Sequence, residues 1–254
     1  MRPVLFSVIG FDVFAAPVLA GLALLTAFLF FRSFLRRMEL SPEDFWSLVF
    51  LMALGAVGGA ILFYAVLYNG GLANNLPFLI ATKTIPGGSF WGSFWTVSAC
   101  AYIYCRSKKI EFTRVADSIG LSAMPALAVM RIGCFLHGCC HGTPTALRWG
   151  VIYTDPRCAV AKSLLGKPLH PSQLYESLGC LVIFFAVYFI FFKKGRLKPG
   201  GAFALTVIFY SILRFAVDFV RGGDPGLFWV YNLTTSQLVS IASAAGSILW
   251  YRRL

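Results

Sequence analysis

Seven apolar windows, each long enough to cross a lipid bilayer as a helix, constrain what this chain can fold into. A bilayer span needs roughly 17–25 mostly apolar residues. The windows lie near residues 12–31, 44–68, 85–105, 114–136, 172–192, 200–221 and 234–251. They are continuous apolar runs, whereas the strands of a membrane β-barrel alternate apolar and polar residues. Only 13% of the residues are charged, against about 25% in soluble domains. We therefore predict an all-α polytopic membrane protein, a seven-transmembrane-helix bundle forming a single domain over residues 1–254.

The basic residues are concentrated in alternate connections between these windows. Thirteen of the 22 Lys and Arg residues follow the first, third, fifth and seventh windows: Arg32, Arg36, Arg37, Arg106, Lys108, Lys109, Arg114, Lys193, Lys194, Arg196, Lys198, Arg252 and Arg253. Cytoplasmic connections carry this excess in membrane proteins. We therefore expect the N-terminus outside and the C-terminus in the cytoplasm. The net charge of +12 is thereby explained by topology and indicates no nucleic-acid partner.

With this topology, separate polar motifs arrive at one membrane face. They are TIPGGSFWG at 84–92, the connection 132–171 that follows Arg131, HPSQLYE at 170–176 and RFAVDFVRGGD at 214–224. Polar and charged groups at membrane depth are costly, and usually face a cavity or a partner. The outer face of the bundle is therefore the predicted site.

Arginines dominate the motif that ends the sixth window. Arg214, Asp218 and Arg221 are spaced i, i+4 and i+7, which places them on one face of a helix. Arg131 ends the fourth window at a similar depth. Several guanidinium groups around one pocket make a fork-shaped phosphate site, and the abundant phosphate in a bilayer is a phospholipid headgroup. In the competing interpretation, an Arg214–Asp218 pair only joins helices and Arg221 reaches toward headgroups.

Two further motifs, TIPGGSFWG and HPSQLYE, contain a pair of glycines and a predicted helix N-terminus, respectively. Gly87 and Gly88 form a turn that either lets the backbone approach a ligand or simply precedes a helix. Ser172 follows a proline, as at a helix N-terminus. Glu176 enters the span behind it and should find a partner inside the bundle.

His170 begins the same motif and is either a proton carrier near neutral pH or an interfacial side chain without a chemical task. Gln173 and Tyr175 follow it into the span.

Cysteine and histidine crowd the connection after the fourth window as Cys134, His137, Cys139, Cys140 and His141. Their spacing fits no standard pairing of zinc ligands, so we predict no metal. A neighbouring His or Arg would lower the pKa of one thiol and make it a nucleophile. Small residues at a tight helix exit explain the stretch equally simply, and we favour that interpretation slightly.

The motifs taken in order resemble the prolipoprotein diacylglyceryl transferase family. PGGSFWG, RIGCFLHG, HPSQLYE, RFAVDFVRGG and VYNLTTSQLVSI carry the resemblance between residues 84 and 251. It implies a seven-span bundle in the bacterial inner membrane with its site open to the periplasmic leaflet. It also implies transfer of the diacylglyceryl group of phosphatidylglycerol to the lipobox cysteine of a preprolipoprotein, releasing glycerol 1-phosphate, without metal or cofactor. Membrane lipids and the preprolipoprotein are then the partners.

The same resemblance implies roles for individual residues. Arg131 and Arg214 align with arginines of the family's motifs, Asp218 stands where the family usually has Glu, and Arg221 matches the arginine that follows. We expect a catalytic group of His137, His170, Arg214 and Asp218. We expect substrate binding by Arg131, Arg221, Gly87, Gly88, Gln173, Tyr175, Glu176 and Tyr210.

The sequence departs from the family on the side of the site that faces the acceptor. The family signature GRIGNFINGE reads MRIGCFLHGC here, and Trp91 stands at an important histidine. Either His137, His141 or His170 takes over as the base, or the protein has another acceptor. Two alternatives therefore remain: a paralogue with the same lipid donor and a different acceptor, or a non-catalytic phospholipid-binding protein. A transporter would need an internal repeat or paired broken helices, and neither is evident.

Overall fold

Helices account for 72% of the residues that the structure describes. The computed structural model describes residues 3–8, 11–38, 40–68, 71–75, 77, 88–195, 197–223 and 232–254. Within this part, the helices of 18 residues or more are α1 (Ala15–Leu35), α2 (Pro42–Leu67), α3 (Phe90–Lys108), α4 (Phe112–His137), α5 (Ser172–Lys194), α6 (Gly201–Asp218) and α7 (Thr235–Arg253). Each overlaps one of the apolar windows.

Five of these helices are long and apolar enough to cross a membrane: α1, α2, α4, the segment Ser172–Ile190 of α5, and α6. The class of an all-α polytopic membrane protein is therefore confirmed. Helix α7 is less apolar because it carries the buried serines Ser236, Ser240, Ser243 and Ser247. These serines lie inside the bundle, and the indole of Trp95 on α3 donates to Ser243 at 3.1 Å.

Helices α4 and α6 form the centre of the bundle. More than half of each spanning segment is buried, at 56%, against 17% for α1 and 11% for α2. Helix α1 packs on α4, α2 on α3, and α7 on α6. Glycines permit the close approaches, since a Cβ on Gly120 would lie 3.1 Å from the Cα of Phe203 on α6. Helix packing in membranes relies on such small residues.

A buried carboxylate fixes the start of α6. Asp117 on α4 accepts hydrogen bonds from the backbone N–H groups of Gly200 and Phe203, both at 2.8 Å. The first N–H groups of a helix have no partner inside the helix, so this side chain satisfies two of them across the bundle.

Two short antiparallel strand pairs accompany the helices and were not predicted. Strands β1 (Val4–Val8) and β2 (Phe11–Phe14) form a hairpin ahead of α1, so the helix begins at Ala15 and not at residue 12. Strands β3 (Val151–Ile152) and β4 (Pro168–Leu169) pair within the long connection after α4. Both pairs are too short to leave a recognisable alternation in a strongly apolar sequence.

Candidate active site

Arg131 and Glu176 form a buried bidentate ion pair between α4 and α5. The guanidinium of Arg131 contacts both carboxylate oxygens of Glu176 at 3.0 Å. The hydroxyl of Tyr210 on α6 donates to the same carboxylate at 2.8 Å. The prediction that Glu176 finds a partner inside the bundle is confirmed, and three helices are joined through one carboxylate.

A second buried pair lies at the end of α6. Arg214 contacts Asp218 at 2.7 Å, and both side chains are 6% exposed. Asp218 also accepts a hydrogen bond from the hydroxyl of Thr234. Thr234 is the N-cap of α7 and forms a capping box with Gln237, which links the ion pair to the start of the next helix.

Arg221 does not share the helix face predicted for it. Helix α6 ends at Asp218, and the amides of Phe219 and Val220 bond three residues back, which tightens the last turn. Arg221 then pairs with Gly142 in an isolated antiparallel bridge. The i+7 spacing was misleading because the α-helical turn ends at Asp218 and the chain continues with hydrogen bonds three residues back.

Three arginines act electrostatically on one carboxylate. Arg131, Arg214 and Arg221 all lie close enough to Glu176 to act on its charge. Arg131 and Arg214 each have a carboxylate partner, while no ion pair of Arg221 occurs in the described part of the chain. The cluster therefore carries one positive charge more than its carboxylates neutralise.

The connection after α4 is joined to two other motifs by backbone hydrogen bonds. Gly142 donates to the carbonyl of His170 at 2.9 Å, and Thr143 donates to the carbonyl of Val220 at 2.9 Å. Gly222 donates back to the carbonyl of His141 at 2.9 Å. A Cβ on Gly142 would lie 2.6 Å from the His170 oxygen and 2.7 Å from the Val220 oxygen, so glycine is required there.

Side chains at the start of α5 also form hydrogen bonds to this connection. Ser172 donates to the carbonyl of Cys140 at 2.9 Å, and Gln173 donates to the carbonyl of Cys139 at 2.8 Å. Ser172 begins α5 as predicted, but its hydroxyl does not cap the helix. The amide nitrogen of Gln173, a residue predicted to bind substrate, donates this hydrogen bond to the loop backbone.

The histidines lie around this connection in separate environments. His137 packs edge-on against Phe14, and its Nδ1 is buried without a hydrogen bond in the described structure. His141 Nδ1 lies 2.9 Å from the Gly142 carbonyl. His170 Nδ1 lies 3.4 Å from the hydroxyl of Tyr175, which also accepts a hydrogen bond from Trp149 at 2.7 Å.

The segment before α3 carries the two glycines predicted to bind substrate. Gly87 lies outside the described residues. Gly88 is exposed, and a Cβ there would find only Ala60 nearby, at 3.5 Å. Trp91 is buried and packs against the ring of Tyr210, with centroids 5.2 Å apart. The indole therefore lies beside the residue that bonds Glu176.

Three thiols come together where the sequence spacing gave no reason to expect it. The sulfur atoms of Cys134, Cys139 and Cys140 lie within 4.8 Å of one another. Hydrogen bonds from the other two thiols, together with Arg221 and Arg131, hold the pKa of Cys140 well below its usual value. The pKa of Cys139 is raised, because its proton is held by the neighbouring sulfurs and its thiol is partly buried. A thiol with a lowered pKa was the alternative that the sequence left open beside small residues at a tight helix exit, which we favoured slightly.

Comparison with known proteins places the chain in a family. The family model described as prolipoprotein diacylglyceryl transferase matches residues 3–252. The chain belongs to this family.

Three relatives carry the name phosphatidylglycerol–prolipoprotein diacylglyceryl transferase. The protein from Clostridium tetani is 28% identical over 95% of this chain and 93% of its own length. The protein from Solidesulfovibrio magneticus is 36% identical over 79% and 74%, respectively. The protein from Wolbachia pipientis is 30% identical over 99% and 94%.

Proposed function

We propose that this chain transfers the diacylglyceryl group of phosphatidylglycerol to the cysteine thiol of a prolipoprotein, releasing glycerol 1-phosphate. The observation that carries the proposal is the charge of the arginine cluster. Arg131, Arg214 and Arg221 all act electrostatically on Glu176, and together with Glu176 and Asp218 they leave one positive charge in excess. A phosphodiester carries one negative charge, so the headgroup of the lipid complements this excess.

Arg221 is the arginine best placed to take the phosphate, because its guanidinium has no carboxylate partner in the described structure. Arg131 and Arg214 are held in place by Glu176 and Asp218, so they are oriented before substrate arrives. The bond between the glyceryl carbon and the phosphate oxygen breaks during transfer, and negative charge grows on the leaving phosphate. Guanidinium groups already in position stabilise that charge without reorganising.

The residues assigned to binding and catalysis from the sequence divide into two groups. Tyr210 and Glu176 position Arg131, and Gln173 positions the connection after α4, so we assign these three to support of the site. His137 and His170 remain predicted bases for the acceptor thiol. Tyr175 bonds to Trp149 and lies near His170, where it orients the imidazole.

We further propose that all seven long helices cross the bacterial inner membrane, with the N-terminus outside and the arginine cluster facing the periplasm. The basic residues at the opposite ends of the helices support this orientation. Helices α3 and α7 then also cross the membrane, although they are not among the five helices that meet the criterion of length and apolar composition. Their polar side chains are turned into the bundle, as the buried serines of α7 are.

The proposal is tested with purified protein, phosphatidylglycerol and a lipobox peptide, with products identified by mass spectrometry. We expect a diacylglyceryl adduct on the peptide cysteine and none on a peptide with Cys→Ser. Arg221→Ala should lower the transfer rate about 100-fold or more, the usual loss when one group that stabilises developing charge is removed. Arg148→Ala is the matched control, because Arg148 is an exposed arginine of the neighbouring connection.

The outcomes separate the proposal from its alternatives. Loss of a phosphate contact should cost far more than about threefold in rate. If Arg221→Ala transfers within about threefold of the unchanged protein, the phosphate role of Arg221 is contradicted. Release of glycerol phosphate without a peptide adduct would support phosphatidylglycerol as the donor and contradict the prolipoprotein cysteine as the acceptor. Binding of phosphatidylglycerol without either product would identify a non-catalytic lipid-binding protein.

A further inference from the structure

The chain contains three histidines, each a candidate base for the acceptor thiol, and their rings have different partners. A neutral imidazole carries one proton, so one ring nitrogen donates a hydrogen bond and the other has a free lone pair. The partner of one nitrogen therefore fixes the role of the other. A base needs a partner that holds the ring proton on the nitrogen that does not meet the substrate.

The ring of His141 has a partner of this kind. Its Nδ1 lies 2.9 Å from the carbonyl oxygen of Gly142. A carbonyl oxygen can only accept a hydrogen bond, so Nδ1 carries the proton and donates it. The neutral ring then presents Nε2 with a free lone pair, which is the form of imidazole that takes up a proton.

The other two histidines have no such acceptor at Nδ1 among the described residues. The Nδ1 of His137 is buried without a hydrogen bond, and its ring packs edge-on against Phe14. His170 Nδ1 lies 3.4 Å from the hydroxyl of Tyr175. A hydroxyl both donates and accepts, so this contact does not decide which nitrogen of His170 carries the proton.

His141 also lies beside the arginine cluster. The backbone amide of Gly222 donates to the carbonyl of His141 at 2.9 Å, next to the bridge between Gly142 and Arg221. The imidazole lies over Gly222, because a Cβ on that glycine would be 3.4 Å from both Nδ1 and Cε1 of the ring. The ring therefore packs against the residue that follows Arg221. His141 is partly exposed, as a base that meets an incoming peptide must be.

We propose that His141, and not His137 or His170, is the general base that removes the proton of the acceptor cysteine thiol. The inference rests on the proposed transfer reaction. Nε2 takes the thiol proton, and the sulfur forms a bond to the glyceryl carbon. The carbon–oxygen bond breaks with its electrons on the leaving phosphate oxygen. The imidazolium then passes its proton to water, so the step balances without a further reactant.

The charge of this base agrees with the charge of the arginine cluster. A neutral imidazole leaves the excess positive charge of the cluster available to the phosphodiester. During transfer, the ring gains a positive charge as the leaving phosphate gains its second negative charge. Opposite charges that develop close together stabilise each other, so proton uptake by His141 supports departure of the phosphate.

The protonation of the ring is measured first, independently of activity. The full-length protein is labelled with ¹⁵N-histidine, purified in detergent and studied by NMR. The signals that disappear in His141→Asn are those of His141. We expect the neutral ring to carry its proton on Nδ1 and none on Nε2. A neutral His141 with its proton on Nε2 would overturn the proposal.

Transfer is then compared between a lipobox peptide and the same peptide with selenocysteine in place of cysteine, both kept reduced. A selenol is already ionised at neutral pH, so its transfer needs no base. In His141→Asn, the new amide can still donate to the Gly142 carbonyl, while the Nε2 position is removed. We expect transfer to cysteine to fall about 100-fold or more, and transfer to selenocysteine to stay within about threefold of the unchanged protein.

His141→Gln is a second variant without the base, and size-exclusion elution and circular dichroism establish that each variant is folded. Full transfer to cysteine by both folded variants would overturn the proposal. An equal loss with both peptides would also overturn it, because it would indicate a structural role.

His137→Asn and His170→Asn are the matched comparisons. A loss confined to the cysteine peptide in either of them, and absent from His141→Asn, would overturn the assignment to His141 and leave the proposed function standing. If the unchanged protein forms no adduct with either peptide, the proposed function is contradicted and the role of His141 with it.

Discussion

The two ends of the central helices α4 and α6 both bury carboxylates, but the carboxylates have different partners. At one end, Asp117 is 3% exposed and accepts two backbone N–H groups. At the other end, Glu176 and Asp218 pair with Arg131 and Arg214. In the first arrangement, the carboxylate is hydrogen-bonded by the protein backbone alone. The second leaves a third arginine without a carboxylate in the described structure, so this end is suited to an anionic ligand.

Burial of a charge does not by itself indicate a site. A buried carboxylate that completes a helix N-terminus is architectural, since it satisfies orphan donors. Buried ion pairs are poor sources of stability, because desolvation opposes the attraction. The arginine end therefore makes sense as a preorganised binding surface, and the two ends should respond differently to substitution.

The largest effect is expected at the arginine end, from Glu176→Gln. The change leaves Arg131 without its charge partner, and breaking a buried pair costs about 3–5 kcal/mol of unfolding free energy. Transfer by the remaining folded protein should also fall, since Arg131 is no longer fixed. Thermal unfolding in detergent and the peptide assay measure the two effects. Unchanged transfer by folded Glu176→Gln would show that the pair has no part in the reaction.

At the opposite end, Asp117→Asn should affect stability alone. One of two charge-assisted hydrogen bonds to the start of α6 is lost, which costs about 1–3 kcal/mol. Turnover per folded molecule should stay within about threefold, because the residue lies far along α4 from Arg131. A selective rise in KM for phosphatidylglycerol would contradict the architectural role and weaken the contrast between the two ends.

Gly142→Ala tests a backbone contact within the arginine end. The added Cβ would come too close to two carbonyl oxygens, at 2.6 and 2.7 Å, so the bridge to Arg221 must shift. We expect transfer to fall about tenfold, at a cost near the 1–3 kcal/mol typical of overpacking. Helix content by circular dichroism should be preserved. Gly166→Ala provides the control: it also changes a loop glycine, and a Cβ there meets no atom within 4 Å. Because Gly166 has φ of 78°, its substitution tests backbone strain without crowding.

The smallest effect is expected from Thr234→Ala. Loss of the N-cap should lower the free energy of unfolding by about 1 kcal/mol. Asp218 loses its hydroxyl donor but keeps Arg214, so transfer should decrease only severalfold. Thr234→Ser restores the hydroxyl and should return both properties. If serine fails to restore transfer, the hydroxyl is not what connects α7 to the ion pair.

The helices were predictable because their signal is local. Each signal depends only on residues that are close in the sequence. These signals are the twenty-residue apolar windows, the Pro at the first turn of α2 and the Thr234–Gln237 capping box. Among the described residues, five helices meet the criteria for spanning a membrane, and the class follows from them. The short strand pairs were missed because they are too short to leave a recognisable alternation of apolar and polar residues. The early end of α6 was missed because the apolar window continues past Asp218 to residue 221.

The candidate site divides in the same way. The sequence by itself determined that arginines, a glutamate and a dense Cys/His stretch occur at the ends of apolar segments, and the ordered motifs indicated the family. Only the tertiary structure decided the partners: Arg131 with Glu176, Arg221 with Gly142, and Cys134 with Cys139 and Cys140. The physical reason is that burial strongly penalises an unpaired charge or polar group. Which partner relieves that penalty depends on where the helices and loops bring each side chain in space.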